Sequence, residues 1–138
     1  MQTSKILVDT NVILDVLYNR PEFVKDSLNV WRSCELHEAE GYISALTVPN
    51  IVYIMRRELT AKKTQELVDK LLMIFRIVEL TAGDIKNAAD MLDSDYEDSL
   101  QICAAKRIGA DFIVTRNETH FKNSPIEAKT PKEYLATV

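Results

Sequence analysis

The sequence predicts an α/β fold, a parallel sheet of about five strands flanked by helices on both faces. Short apolar runs alternate with longer helical patterns from one end of the chain to the other. Only three Gly and four Pro interrupt the 138 residues, which leaves little material for long loops. The length and a hydrophobic share of 46% suit one domain, residues 1–138, around one buried core.

The first strand is read over 5–9, "KILVD". Val12, Ile13, Val16 and Leu17 follow at helical spacing, so the strand feeds a helix through a very short loop. A second helix, 23–40, sets Phe23, Val24, Leu28, Trp31 and Leu36 on one side and ends before Gly41. "YIS", 42–44, is a short second strand. The helix in "LTVPNIVYIMRREL" has Thr47 as its candidate N-cap, Pro49 in the first turn, and Ile51, Ile54 and Met55 as its apolar face. Thr60 is placed to cap the next helix, and "RIVEL" gives a third strand. A short helix lies within 81–93. The helix in "DYEDSLQICAAKRIG" opens on acids, which the helix dipole favours, and closes on Lys106, Arg107 and a Gly109 C-cap. "DFIVTRN" is the fourth strand, followed by a last short strand and a helix starting at Pro131.

Composition narrows the function classes. A net charge of −4 argues against a protein that binds nucleic acid by electrostatics alone, although carboxylates gathered around a metal would also produce it. Cys34 and Cys103 lie far apart and outside any Cys-x-x-Cys pattern, so zinc and redox chemistry have little support and buried free thiols are expected. Asp9 and Asp15 interrupt the N-terminal apolar run before it can act as a signal core or a membrane span. A soluble cytoplasmic protein is expected.

In an open parallel sheet the ligand site lies beyond the C-terminal strand ends. Asp9 and Asn11 fall there after the first strand, Ser44 after the second, and Thr115, Arg116 and Asn117 after the fourth. The acidic helix start at Asp95, Glu97 and Asp98 belongs to the same neighbourhood. Asp9 and Asp98 are the pair expected to share a cation, because Mg²⁺ and Mn²⁺ favour carboxylate oxygens and keep several waters. Each acid also has a plain reading. Asp9 or Thr10 can cap the first helix, Asp95 is the natural cap of the acidic helix, and Asp15 can be a solvated helix position instead of a supporting carboxylate. Ser44 and Thr115 can be satisfied turn hydroxyls. Arg116 and Lys122 are expected to flank the cleft and pair with phosphates. His120 can approach a metal or phosphate, although an isolated loop His is more often solvated, His37 has no visible role, and no aromatic interleaving marks a surface for stacking bases.

These segments together resemble the PIN-domain nucleases, in particular their VapC-like bacterial branch. "DTNVILD" is similar to the family's opening motif and "YISALTVPNIVYIMRR" to its second. "DYEDSLQICAAKRIGADFIVTRN" is similar to the third and fourth, and "TPKEYL" to the closing helix. The resemblance implies Mg²⁺- or Mn²⁺-dependent hydrolysis of RNA phosphodiesters, with Asp9 as first acid and Asp98 as third. Asn11, Ser44 and Thr115 would be supporting polar groups. It also implies a homodimer and, for a toxin role, an antitoxin partner. The chain departs from the pattern where two further acids are usual, since Asn50 and Asn117 stand there. Two unit charges about 4 Å apart interact by roughly 4 kcal/mol at an effective dielectric near 20, so losing two carboxylates weakens metal binding. Asp95, Glu97 or Asp15 can supply a missing charge.

Two rivals follow from the same residues. A phosphoaspartate domain also carries an Asp after its first strand, but the dehalogenase pattern needs a second Asp where Asn11 stands, and receivers need an acidic pair and a late lysine. The other rival keeps the fold and loses the chemistry, leaving an RNA-binding or protein-interaction module.

Overall fold

The computed structural model describes residues 3–92 and 94–138. β1 (Ser4–Val8) feeds α1 (Thr10–Leu17), and α2 (Val24–Glu35) then precedes β2 (Ala39–Ser44). α3 (Thr47–Ile54) and α4 (Ala61–Ile74) lead to β3 (Arg76–Val78), followed by α5 (Ala82–Ala89) and α6 (Tyr96–Ile108). β4 (Phe112–Val114), a 3-10 turn at Glu118–Phe121, β5 (Ala128–Lys129) and α7 (Pro131–Leu135) complete the order. The far end of the expected fifth helix, Asp93, lies outside the described residues.

The five strands form one parallel sheet in the order β3-β2-β1-β4-β5. Side chains alternate across a strand. Ile6 and Val8 therefore join one core with α1, α2 and α4, while Leu7 joins Ile102, Ala105 and Ile113 in a second core under α6. All three β1 residues are buried, as expected of a central strand covered on both faces. Trp31 packs edge-on to Phe75, with ring centroids 5.4 Å apart, and ties α2 to the end of α4.

Several local expectations change. The second strand is longer than "YIS" because pairing with β1 begins at Ala39, beside Ser4. The buried stripe of α2 is Ser27, Val30, Trp31 and Cys34, whereas Phe23 and Leu36 are exposed. Ser27 sits in that stripe because its hydroxyl donates to the buried Asp15 carboxylate. Leu46, not Thr47, occupies the N-cap position of α3, and Thr47 turns its hydroxyl to Thr10, 2.9 Å away. Thr60 and Asp95 cap α4 and α6 as expected, and Gly109 ends α6 in the left-handed region at φ 66°. Cys34 is buried, and burial pushes its thiol up to about 12, while Cys103 is only half-buried.

The strand order reverses at β1: the chain runs outward through β2 and β3, then returns to β4 on the other side. Such a reversal opens a crevice at the C-terminal ends of the two adjoining strands. Asp9 and Thr115, the first residues after β1 and β4, stand on its two sides.

Candidate metal centre

Asp9 is held at the switch point from both strands. Its backbone N–H donates to the Val114 carbonyl at 2.9 Å, which locks the end of β1 to β4. The Thr115 hydroxyl donates to Asp9 Oδ2 at 2.8 Å and accepts the Asn117 N–H at 3.1 Å. Oδ1 accepts the Thr10 N–H at 2.7 Å, so Asp9 does cap α1, and the positive end of the helix dipole favours its anion. The capping reading therefore holds, and it leaves Asp9 on the cleft.

Asp98 arrives from the first turn of α6, across the cleft. The Asp95 carboxylate is already engaged by the Glu97 and Asp98 N–H groups at 3.0 and 3.3 Å, which makes it a cap and leaves Asp98 to face inward. Three residues on, Gln101 lies on the same helix face, and its amide donates to Asp9 Oδ1 at 3.4 Å. His120, in the turn after β4, brings Nδ1 to 3.5 Å from Asp98 Oδ2. Gln101 had no assigned role from sequence, and His120 was open between a metal or phosphate contact and a solvated loop position. The spacing from Asp98 to Gln101 was the available signal for the first; the second depends on the fold of the turn.

One cleft collects most of the expected residues: Asp9, Asn11, Ser44, Asn50, Glu97, Asp98 and Asn117 line it, with Gln101. Ser44 is buried and its hydroxyl accepts the Leu46 N–H at 3.1 Å, so it shapes the turn before α3.

Three expected residues are placed elsewhere. Asp15 is fully buried and turned away from the cleft, paired with Arg116 at 2.8 Å and Arg20 at 3.2 Å. Arg116 is thereby drawn back from the cleft, its guanidinium 4.1 Å from the centroid of the Phe23 ring, and it lines a different depression with Phe23 and Pro131. A buried carboxylate one turn from the end of α1 captures a guanidinium more strongly than solvent does, which explains why Arg116 does not flank the cleft. Lys122 is exposed beyond the 3-10 turn and borders a separate concavity with Phe121 and Ile126.

The carboxylates are electrostatically strained. Burial pushes Asp9 above its ordinary value against the pull of Thr115, the Thr10 amide, Arg116 and His120. Asp98 is raised by burial and then by the negative charges of Asp9 and Asp95, partly offset by His120. A divalent cation between them would relieve both costs. The neutral donors fit the same ion: Asn11 Oδ1 and Gln101 Oε1 are buried on this cleft without a hydrogen-bond partner. Among the described residues no three His, Cys, Asp or Glu side chains gather closely enough to form an all-charged cage. Two carboxylates with neutral amide oxygens beside them are hard oxygen donors, the chemistry that Mg²⁺ or Mn²⁺ would accept here.

Known proteins share this architecture. Ribonuclease VapC1 of Aquifex aeolicus is 24% identical over 139 residues, covering 97% of this chain and 95% of the relative. A toxin-antitoxin complex from Klebsiella pneumoniae superposes with a TM-score of 0.70 at 20% identity, over 91% of this chain and 97% of that one. VapBC2 from Rickettsia felis, bound to a DNA fragment from its promoter, gives 0.68 at 16% identity over 91% and 98%. These solved structures share the fold. The family model described as PIN domain matches residues 5–119, a span that runs from β1 into the 3-10 turn after β4, and the chain therefore belongs to the PIN domain family.

Proposed function

We propose that this chain is a metal-dependent endoribonuclease that hydrolyses RNA phosphodiester bonds with Mg²⁺ or Mn²⁺ held by Asp9 and Asp98. The observation that carries this reading is the Asp9 and Asp98 carboxylates lining one cleft at the switch point, with unpartnered amide oxygens of Asn11 and Gln101 beside them. The similarity to a protein named as a ribonuclease supports the substrate class. Asp9 and Asp98 would hold the divalent ion, which would supply an acidified water and charge to offset the phosphate. Thr115 and the Thr10 amide orient Asp9, and Gln101 fixes the side of the carboxylate that faces α6. The similarity to toxin-antitoxin complexes supports an antitoxin partner and a toxin role. A homodimer and a cytoplasmic location complete the proposal; no helix of the described residues is long and apolar enough to cross a membrane.

A second reading rests on Asn50 and Asn117, which line the cleft without charge. It makes the domain an RNA-binding or protein-interaction module. Incubating purified protein with a structured RNA in Mg²⁺, in Mn²⁺ and in chelator separates the two. Metal-dependent internal cuts that vanish in both Asp9→Asn and Asp98→Asn are the expected result. Intact RNA in every condition, from folded protein, favours the module.

A further inference from the structure

The cleft that holds Asp9 and Asp98 is also lined by Leu14, Leu46, Tyr53 and Ile54, an apolar and aromatic part of its wall beside the acidic one. Asn50, Tyr53 and Ile54 are spaced i, i+3, i+4 on α3, so one helix face runs from the polar floor to an aromatic rim. Ile54 was expected in the apolar core of that helix; it is instead 44% exposed, and Tyr53 is 65% exposed. The Arg56 guanidinium sits 4.1 Å from the Tyr53 ring centroid and donates to the Tyr53 carbonyl at 2.8 Å, which fixes a cation beside the ring. An exposed aromatic backed by a fixed guanidinium, at the edge of a cleft that would receive a phosphodiester, matches the means by which proteins stack single-stranded bases.

We infer that Tyr53, with Arg56 behind it, forms a stacking subsite for a nucleobase of single-stranded RNA next to the phosphate held at the Asp9–Asp98 pair. The inference rests on the ribonuclease reading and adds where the substrate's base lies. A stacked ring tolerates any base, so the subsite orients the strand without selecting sequence. Arg56 neutralises the phosphate that such a base carries, at a rim where the acidic wall would otherwise repel it.

The test measures binding of a fluorescent single-stranded RNA to the full chain in chelator, where no cutting occurs, for wild type, Tyr53→Ala and Tyr53→Phe, with thermal melts to establish that each is folded. The same set is repeated on an RNA carrying one abasic site, walked along the strand. Tyr53→Ala should weaken binding on the order of tenfold, with Tyr53→Phe close to wild type because the ring does the stacking. At one abasic position the difference between wild type and Tyr53→Ala should disappear. Equal RNA binding by wild type and Tyr53→Ala overturns the subsite and points to a protein partner for Tyr53, leaving the nuclease reading intact. A wild type that neither binds nor cuts RNA removes both.

Discussion

Replacing Asp15 by alanine tests whether the buried ion-pair knot beneath the cleft holds the fold together. The Asp15 side chain is 0% exposed, whereas Arg116 and Arg20 are 22% and 36% exposed. Removing one member of a buried pair typically costs about 3–5 kcal/mol because the partner's charge is left without compensation. Both arginines can partly regain water here, so the low end applies, about 3 kcal/mol. Unfolding entropy of roughly 2.1 cal/mol/K per residue over 138 residues gives about 0.29 kcal/mol/K, hence a Tm drop of ~10 °C. Asp15→Asn preserves the volume and should lose most of the same amount, which separates charge from packing. Lys86→Ala is the control: its pair with Asp90 is exposed, 74% and 60%, and screened by solvent, so its loss should move the Tm by no more than about 2 °C. Circular-dichroism melts of the three variants decide the matter. An Asp15→Ala protein that loses no more than Lys86→Ala would refute the reasoning.

Other perturbations address the site and the core. Asp9 and Asp98 are both raised in the fold, so ionising them costs more folded than unfolded, and their contribution to metal-free stability is greatest below the ordinary value of 3.8 and declines as pH rises through the folded values. In chelator, the Tm of Asp98→Asn relative to wild type should therefore climb as pH increases from acid to neutral; a difference that is flat or falls with pH contradicts the assigned shift. Asn117→Asp adds a carboxylate to the cleft and should tighten Mn²⁺ binding by about tenfold or more, read by calorimetry. Gly41→Ala would press a methyl to 2.5 Å from Cys34 Sγ and 3.1 Å from the Phe75 ring, costing about 1–3 kcal/mol by denaturant melts. Adding Cys34→Ala should recover part of that loss, since the two positions compete for one space.

What could be read from the sequence was whatever depends on local pattern and chain order. The apolar run before Asp9 and the helical spacing after it defined a strand end, and the strand end is where the acid stands. Asp95 and Gly109 were legible because capping chemistry is local. Arg116 was not, because its partner Asp15 lies 101 positions earlier and only the packing of α1 under β4 brings them together. Asp15 looked like a solvated helix position for the same reason. Ile54 was misjudged by periodicity: counted on the apolar face of α3, it lines the cleft instead and stays exposed. Gln101 reads as an ordinary helix residue until Asp9, 92 positions away, is set opposite.

Titrating Mn²⁺ calorimetrically into wild type and into Asp98→Asn at neutral pH tests most directly whether two carboxylates and neutral oxygens suffice for an ion. Saturable binding by wild type, weakened at least tenfold or lost in a folded Asp98→Asn protein, is the expected result. Identical isotherms for the two proteins, or no binding by the wild type, would show that the Asp9–Asp98 pair does not hold the metal.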